Sequence, residues 1–156
     1  MDAPIADSFW IEPGRVLAGA YPDGDGEIDA LATAGITLIV DLTHADDGLP
    51  QYASTLRRLS VPIPDFGTPP LEELKRALDA IDAELAAGRA VYVHCLGGCG
   101  RTGTVVASWL VGQGATADAA LERFSALAGR PCPERAAQNA LVRAYAAARS
   151  GSNARD

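Results

Sequence analysis

Short apolar runs alternate along this chain with longer stretches in which apolar residues recur every three or four positions. Phe9–Ile11 and Val16–Ala18 read as short strands about a Pro13-Gly14 turn. Ile28, Leu31 and Ala32 mark a helix ended by Gly35, and Thr37–Asp41 reads as a buried strand. Leu59, Val61 and Ile63 alternate as in a further strand. Leu71, Leu74, Leu78, Ile81 and Leu85 share one helical face, closed by Gly88, with Thr68 as cap and Pro69 at the first helical position. Ala90–His94 is an uninterrupted run suited to a central strand. Three helices follow: from Arg101 to about Val111, from Ala117 to about Leu127 after a Thr116 cap, and from Glu134 to about Arg149.

Strands alternating with helices predict an α/β fold, a three-layer α/β/α sandwich around a mostly parallel sheet. At 156 residues and 48% apolar content, there is material for one core, so residues 1–149 form a single domain. The polar stretch 150–156 reads as a frayed tail.

Charge narrows the partners. A net charge of −7 argues against general affinity for nucleic acid or anionic membrane. The first residues lack the basic start and apolar core of a secretory leader, and runs such as Ile36–Val40 and Val105–Val111 are too short to cross a bilayer. Three cysteines, an odd count, suit reduced thiols in a cytoplasm. The expectation is a cytoplasmic monomer.

The chemistry concentrates in Val91–Gly103, where a strand delivers His94 and Cys95, then Leu96, Gly97, Gly98, Cys99 and Gly100, then Arg101 and Thr102 opening a helix. Glycines let backbone N–H groups converge on one point as an anion-binding nest. The N-terminal end of the following helix adds free N–H groups and a positive partial charge. Such surroundings favour a thiolate at Cys95 over a thiol. Arg101 brings a planar fork for two phosphoryl oxygens. Thr102 carries a hydroxyl able to bond the sulfur, and His94 is placed to shape the loop from behind. The residues 96–101 thus read as a cradle for a phosphate that Cys95 attacks.

His94, Cys95, Gly98, Arg101 and Thr102 match the His-Cys-x2-Gly-x2-Arg-Ser/Thr signature, and the chain resembles the cysteine-dependent protein tyrosine phosphatase superfamily, specifically its dual-specificity branch. The resemblance implies strand, phosphate loop and helix in that order, with a general-acid Asp on an upstream loop. Asp65, in Val61-Pro62-Ile63-Pro64-Asp65-Phe66-Gly67, fits that role, on a Pro-stiffened loop with Gly67 as hinge. Asp41, Asp46 and Asp47 follow another strand without such a frame. Ile63 stands where tyrosine-specific relatives carry Trp, which points to the dual-specificity subfamily. Gln138 shares a helical stripe with Leu141, Val142 and Tyr145; it either orients the hydrolytic water, as a Gln does in relatives, or bonds backbone at a helix start.

The implied activity is hydrolysis of phosphomonoesters through a phosphocysteine, on phosphorylated protein or a small phosphoester, with no cofactor and no metal. Cys-x3-Cys beside His94 lacks a second ligand pair at zinc spacing. Cys99 and Cys132 are either packing residues or partners for a reversible disulfide with Cys95. Two other uses of the loop stay open: a catalytically silent phosphate-binding module, and a sulfurtransferase or arsenate reductase built on Cys-x5-Arg.

Overall fold

The computed structural model describes the backbone of residues 1–155 and the side chains of residues 1–151. Five strands form one sheet: β1 (Ser8–Glu12), β2 (Val16–Gly19), β3 (Ile36–Asp41), β4 (Arg57–Ser60) and β5 (Ala90–His94), in the order β1-β2-β5-β3-β4. β1 and β2 pair antiparallel as a hairpin, and β2, β5, β3 and β4 run parallel. All four parallel strands therefore end at one edge, where ligands of open α/β sheets bind. Cys95 follows β5, which is flanked on both sides and fully buried.

Alternation along the strands splits the core in two. Leu17, Ile36, Ile39, Ala90 and Tyr92 face α1 (Asp25–Thr33), whose Ile28 and Leu31 cover them. Val16, Ala18, Leu38, Val40, Val91 and Val93 face the other way, onto α2 (Leu71–Ala86), α3 (Gly100–Gly112), α4 (Ala117–Ala128) and α5 (Ala136–Arg155). The sandwich is lopsided, with one helix against four. α3 lies at its centre: every residue from Gly100 to Val111 is buried. Each large aliphatic side chain so enclosed contributes roughly 1.5–3 kcal/mol.

Glu84, on α2, is a buried acidic side chain, at 3% exposure. It accepts hydrogen bonds from Arg89 Nε (3.1 Å) and Nη2 (2.9 Å), Thr37 Oγ1 (2.6 Å) and the Arg57 guanidinium. The bonds from Arg89 outweigh burial and, with those of Thr37 and Arg57, pull its carboxyl down to about 2.

Most predicted elements appear, with four local differences. β4 begins earlier, at Arg57, and stops before Val61, because Pro62 and Pro64 offer no N–H to a ladder. Val61 and Ile63 still donate to the Asp41 and Leu42 carbonyls, so the chain runs on beside β3. α2 starts after Pro70, which caps it without a side-chain bond, so Thr68 and Pro69 lie outside the helix. Thr116 does cap α4, accepting from Ala119 N at 3.1 Å. α5 starts at Ala136 and continues through Arg155, so the segment read as a frayed tail is helical; Asp156 lies outside the described residues.

Candidate active site

The loop Cys95–Cys99 curls over the end of the sheet and hands directly into α3. Gly98, with φ 78, is in the left-handed region, and a Cβ there would lie 2.6 Å from the Gly19 carbonyl carbon at the end of β2. Only glycine permits this contact, which turns the Gly98 N–H onto Cys95 Sγ at 3.3 Å. Thr102 Oγ1 donates to the same sulfur at 3.0 Å. Cys95 is 3% exposed and is the free cysteine of the chain.

His94 supports the loop from behind. Its Nδ1 is 3.0 Å from the Cys95 carbonyl, which can only accept, so Nδ1 carries the proton. Nε2 is then an acceptor, and the Tyr52 hydroxyl donates to it at 2.8 Å. Burial lowers the His94 pKa and prevails over the nearby Asp41 carboxylate, so the ring is neutral. Tyr52 is raised, chiefly by burial and then by Asp41, which keeps its proton available to donate.

Arg101 is 1% exposed despite its charge. Its Nη1 donates to Asp47 Oδ2 at 2.7 Å and to the Ile63 carbonyl at 2.9 Å. Burial works to raise the Asp47 carboxyl, but hydrogen bonds from Arg101 and the His44 backbone outweigh it and leave the carboxyl below its ordinary range. Nη2 is buried without a hydrogen bond, 3.3 Å from Asp65 Oδ1. One side of the guanidinium is thus anchored while the other presents an unsatisfied donor.

Asp65, its side chain 44% exposed, closes the opposite wall. It sits at a tight turn in which Gly67 N donates to the Pro64 carbonyl at 2.8 Å. Phe66 takes φ 61, uncommon for a large side chain, and stacks on the Arg135 guanidinium 4.1 Å from its ring centre. Gln138 is fully buried; its Nε2 donates to the Gly67 carbonyl at 3.1 Å, while Oε1 has no partner. A Cβ on Gly100 would meet both Gln138 terminal atoms at 2.9 Å. Gln138 therefore joins the Asp65 turn to the phosphate loop.

Cys95, Leu96, Gly97, Cys99, Gly100, Arg101, Asp65 and Phe66, with Arg130 and Glu134, line one cavity of about 220 Å3. The sequence-derived set thus converges, with Gly98, Thr102, His94 and Gln138 supporting it from behind. Two expectations need correction. Cys99 and Cys132 form a disulfide, their Cα atoms 5.1 Å apart, so neither is a free thiol and neither pairs with Cys95. The two meet because Ser125 holds Cys132 by bonds to its N (2.9 Å) and O (2.8 Å) beside the loop. Asp47, set aside as a carboxylate without a frame, is held instead by a single 3-10 turn, Ala45–Asp47, and grips Arg101. Tyr52, Arg130 and Glu134 come from irregular segments with no periodicity to announce them.

Comparison with known proteins identifies the family. A 59-residue stretch is 44% identical to an uncharacterised protein of Methanocaldococcus jannaschii, covering 38% of this chain and 40% of that one. A putative tyrosine phosphatase, 067L, of Invertebrate iridescent virus 3 is 32% identical over 109 residues, 66% of this chain and 45% of the viral one. The matches thus span about two fifths of those relatives' own lengths. Among solved structures, Tk-PTP in the active form superposes with a TM-score of 0.80 at 29% identity, covering 91% of this chain and 97% of that one. PTPMT1 in complex with PI(5)P gives a TM-score of 0.83 at 17% identity over 94% of this chain and 99% of that one, a likeness of fold. The family model described as PTP-SAK, Swiss Army Knife protein, DSP-PTPase phosphatase domain, matches residues 6–154, and the chain belongs to this family of dual-specificity-type phosphatase domains.

Proposed function

We propose that the chain hydrolyses phosphomonoesters through a phosphocysteine on Cys95. The observation that carries the reading is the convergence of the Cys95 sulfur, the unsatisfied Arg101 Nη2 and the Asp65 carboxyl on one small cavity. Substrate phosphate docks on the 96–101 amides and on Arg101. The sulfur attacks phosphorus in line, and Asp65 donates its proton to the departing ester oxygen. Water then attacks the phosphocysteine with Asp65 as base, releasing phosphate and the sulfur, whose returning charge Thr102 receives by its hydrogen bond. To Gln138, whose Oε1 is unpartnered beside Gly100, we assign the orienting of that water. The protein supplies positioning and charge stabilisation, which suffices for phosphoryl transfer.

Phosphotyrosine is the substrate we favour, with phosphoserine and phosphothreonine as secondary substrates. Phe66 and Leu96, both exposed large apolar side chains on the cavity wall, suit an aromatic ring better than a bare alkyl ester. The reading takes a monomer in a cytoplasm, where Cys95 stays reduced and burial of Cys99 and Cys132 shields their bond. Arsenate reduction would draw on a second free thiol beside Cys95, and Cys99 is bound to Cys132. Asp65→Asn decides between sulfur transfer and ester hydrolysis. Phosphate release from phosphotyrosine peptide should fall about 100-fold or more, whereas an activity unchanged by this substitution rules out leaving-group protonation by Asp65.

A further inference from the structure

Phe66 defies ordinary packing rules. Its backbone is left-handed, with φ 61, and the residue is 49% exposed. A bulky aromatic residue adopts that conformation at a cost and keeps it only where its surroundings over-determine it. The ring lies outside both apolar cores of the sheet, so core packing does not hold it. The restraint comes from individual contacts.

Some of these are local to the turn. Phe66 N donates to Asp65 Oδ1 at 3.0 Å, and Gly67 N to the Pro64 carbonyl at 2.8 Å. The others reach across from the start of α5. Gln138 Nε2 donates to the Gly67 carbonyl at 3.1 Å, and the Arg135 guanidinium lies over the Phe66 ring, 4.1 Å from its centre. The backbone of Arg135 is itself fixed, because its carbonyl accepts from Gln138 N (3.1 Å), Asn139 N (3.2 Å) and Asn139 Nδ2 (2.9 Å). Arg135 and Gln138 thus form one rigid jaw closed on the turn. Asp65, next to the clamped ring, has its Oδ1 3.3 Å from Arg101 Nη2 on the cavity wall. Slackening the turn at Phe66 would carry that carboxyl away from the leaving oxygen.

We propose that Arg135 is a positioning residue for the general acid: its stack on Phe66 holds the turn that keeps the Asp65 carboxyl on the cavity wall. The inference rests on the phosphatase reading and deepens it, since the contact serves the step in which Asp65 protonates the leaving oxygen. An ester oxygen that departs as a stable anion needs little of that proton, whereas a basic one depends on it. Arg135 does not line the cavity, so a role confined to attracting the phosphate dianion would touch every ester alike.

The test is kcat/KM for phenyl, p-nitrophenyl and pentafluorophenyl phosphate, a series from poor to good leaving groups, in wild type, Arg135→Ala, Arg135→Lys and Asp65→Asn. This ratio reports the steps through departure of the ester oxygen. Arg135→Ala should lose about five- to tenfold on phenyl phosphate and less than about twofold on pentafluorophenyl phosphate. Arg135→Lys keeps a cation over the ring and should recover most of the loss. Added to Asp65→Asn, Arg135→Ala should cost nothing further, because the group it positions is gone. Thermal unfolding establishes that each variant is folded. No loss on phenyl phosphate, equal losses on all the esters, a Lys variant as slow as Ala, or a full extra loss on top of Asp65→Asn each overturn the proposal while leaving the phosphatase reading in place. No turnover of any ester by folded wild type sinks that reading, and this inference with it.

Discussion

Asp47→Asn isolates what the anchor behind Arg101 contributes. In the folded protein Asp47 and Arg101 are 3% and 1% exposed at the side chain, and one 2.7 Å bond joins them. Asn preserves the shape and an accepting oxygen but removes the negative charge. A hydrogen bond between charged groups is worth about 1.5–3 kcal/mol, against about 0.5–1.5 for one to a neutral partner. The difference, about 1–2 kcal/mol, is the part of the restraint on the guanidinium that Asn surrenders. If that restraint fixes the fork for the transition state, kcat/KM should fall about 5- to 30-fold at about 1.4 kcal/mol per tenfold. Vanadate inhibition should weaken in step, because the same fork grips its equatorial oxygens. The assay is steady-state release of p-nitrophenol beside a vanadate inhibition constant, with thermal unfolding to confirm the fold. A folded variant within twofold of wild type on both measures would refute a positioning role for Asp47. Loss of rate with vanadate affinity intact would place the effect elsewhere.

Two further outcomes follow from the geometry. Glu84 has its carboxyl held at about 2 against an ordinary 4.5, so its contribution is complete above 4.5 and disappears as pH falls towards 2. The full shift corresponds to about 3 kcal/mol, but its arginine partners are 60% and 46% exposed and screened by solvent, leaving about 1–2 kcal/mol. Urea unfolding of Glu84→Gln should show that deficit at neutral pH, shrinking below pH 4.5; a deficit constant with pH would mean lost packing instead. Gly98→Ala places a Cβ 2.6 Å from Gly19 backbone at φ 78, so the loop must shift, at a cost of about 1–3 kcal/mol, and the Gly98 N–H leaves Cys95. The companion Gly97→Ala meets nothing nearer than Arg130 Nη2 at 3.9 Å. The rate loss should therefore be far larger at Gly98, and equal losses at the two positions would contradict the nest geometry.

Periodic elements were legible because one face of each is buried. The apolar stripe of Leu74, Leu78 and Ile81 and the continuous run Ala90–His94 each admit one interpretation. Cys95, Arg101 and Asp65 were legible because a Gly-rich turn after a buried strand, and a Pro-stiffened turn upstream, mark them locally. What escaped the sequence is what meets only in three dimensions. Asp47 reaches Arg101 across 54 positions and Tyr52 reaches His94 across 42, both from the irregular connection between β3 and β4. The Cys99–Cys132 bond spans 33 positions, and an odd cysteine count hid it. The start of α2 shifted where proline chemistry intervened, at Pro70.

The central claim is that the Cys95 sulfur becomes phosphorylated during turnover. Wild type and Cys95→Ser, both in EDTA, are compared for p-nitrophenyl phosphate hydrolysis, and wild type is acid-quenched for peptide mass analysis. The account predicts turnover in wild type, none above background in Cys95→Ser, and a phosphoryl adduct on the Cys95 peptide. Hydrolysis that survives in Cys95→Ser, or the absence of turnover in folded, Cys95-reduced wild type, would contradict it.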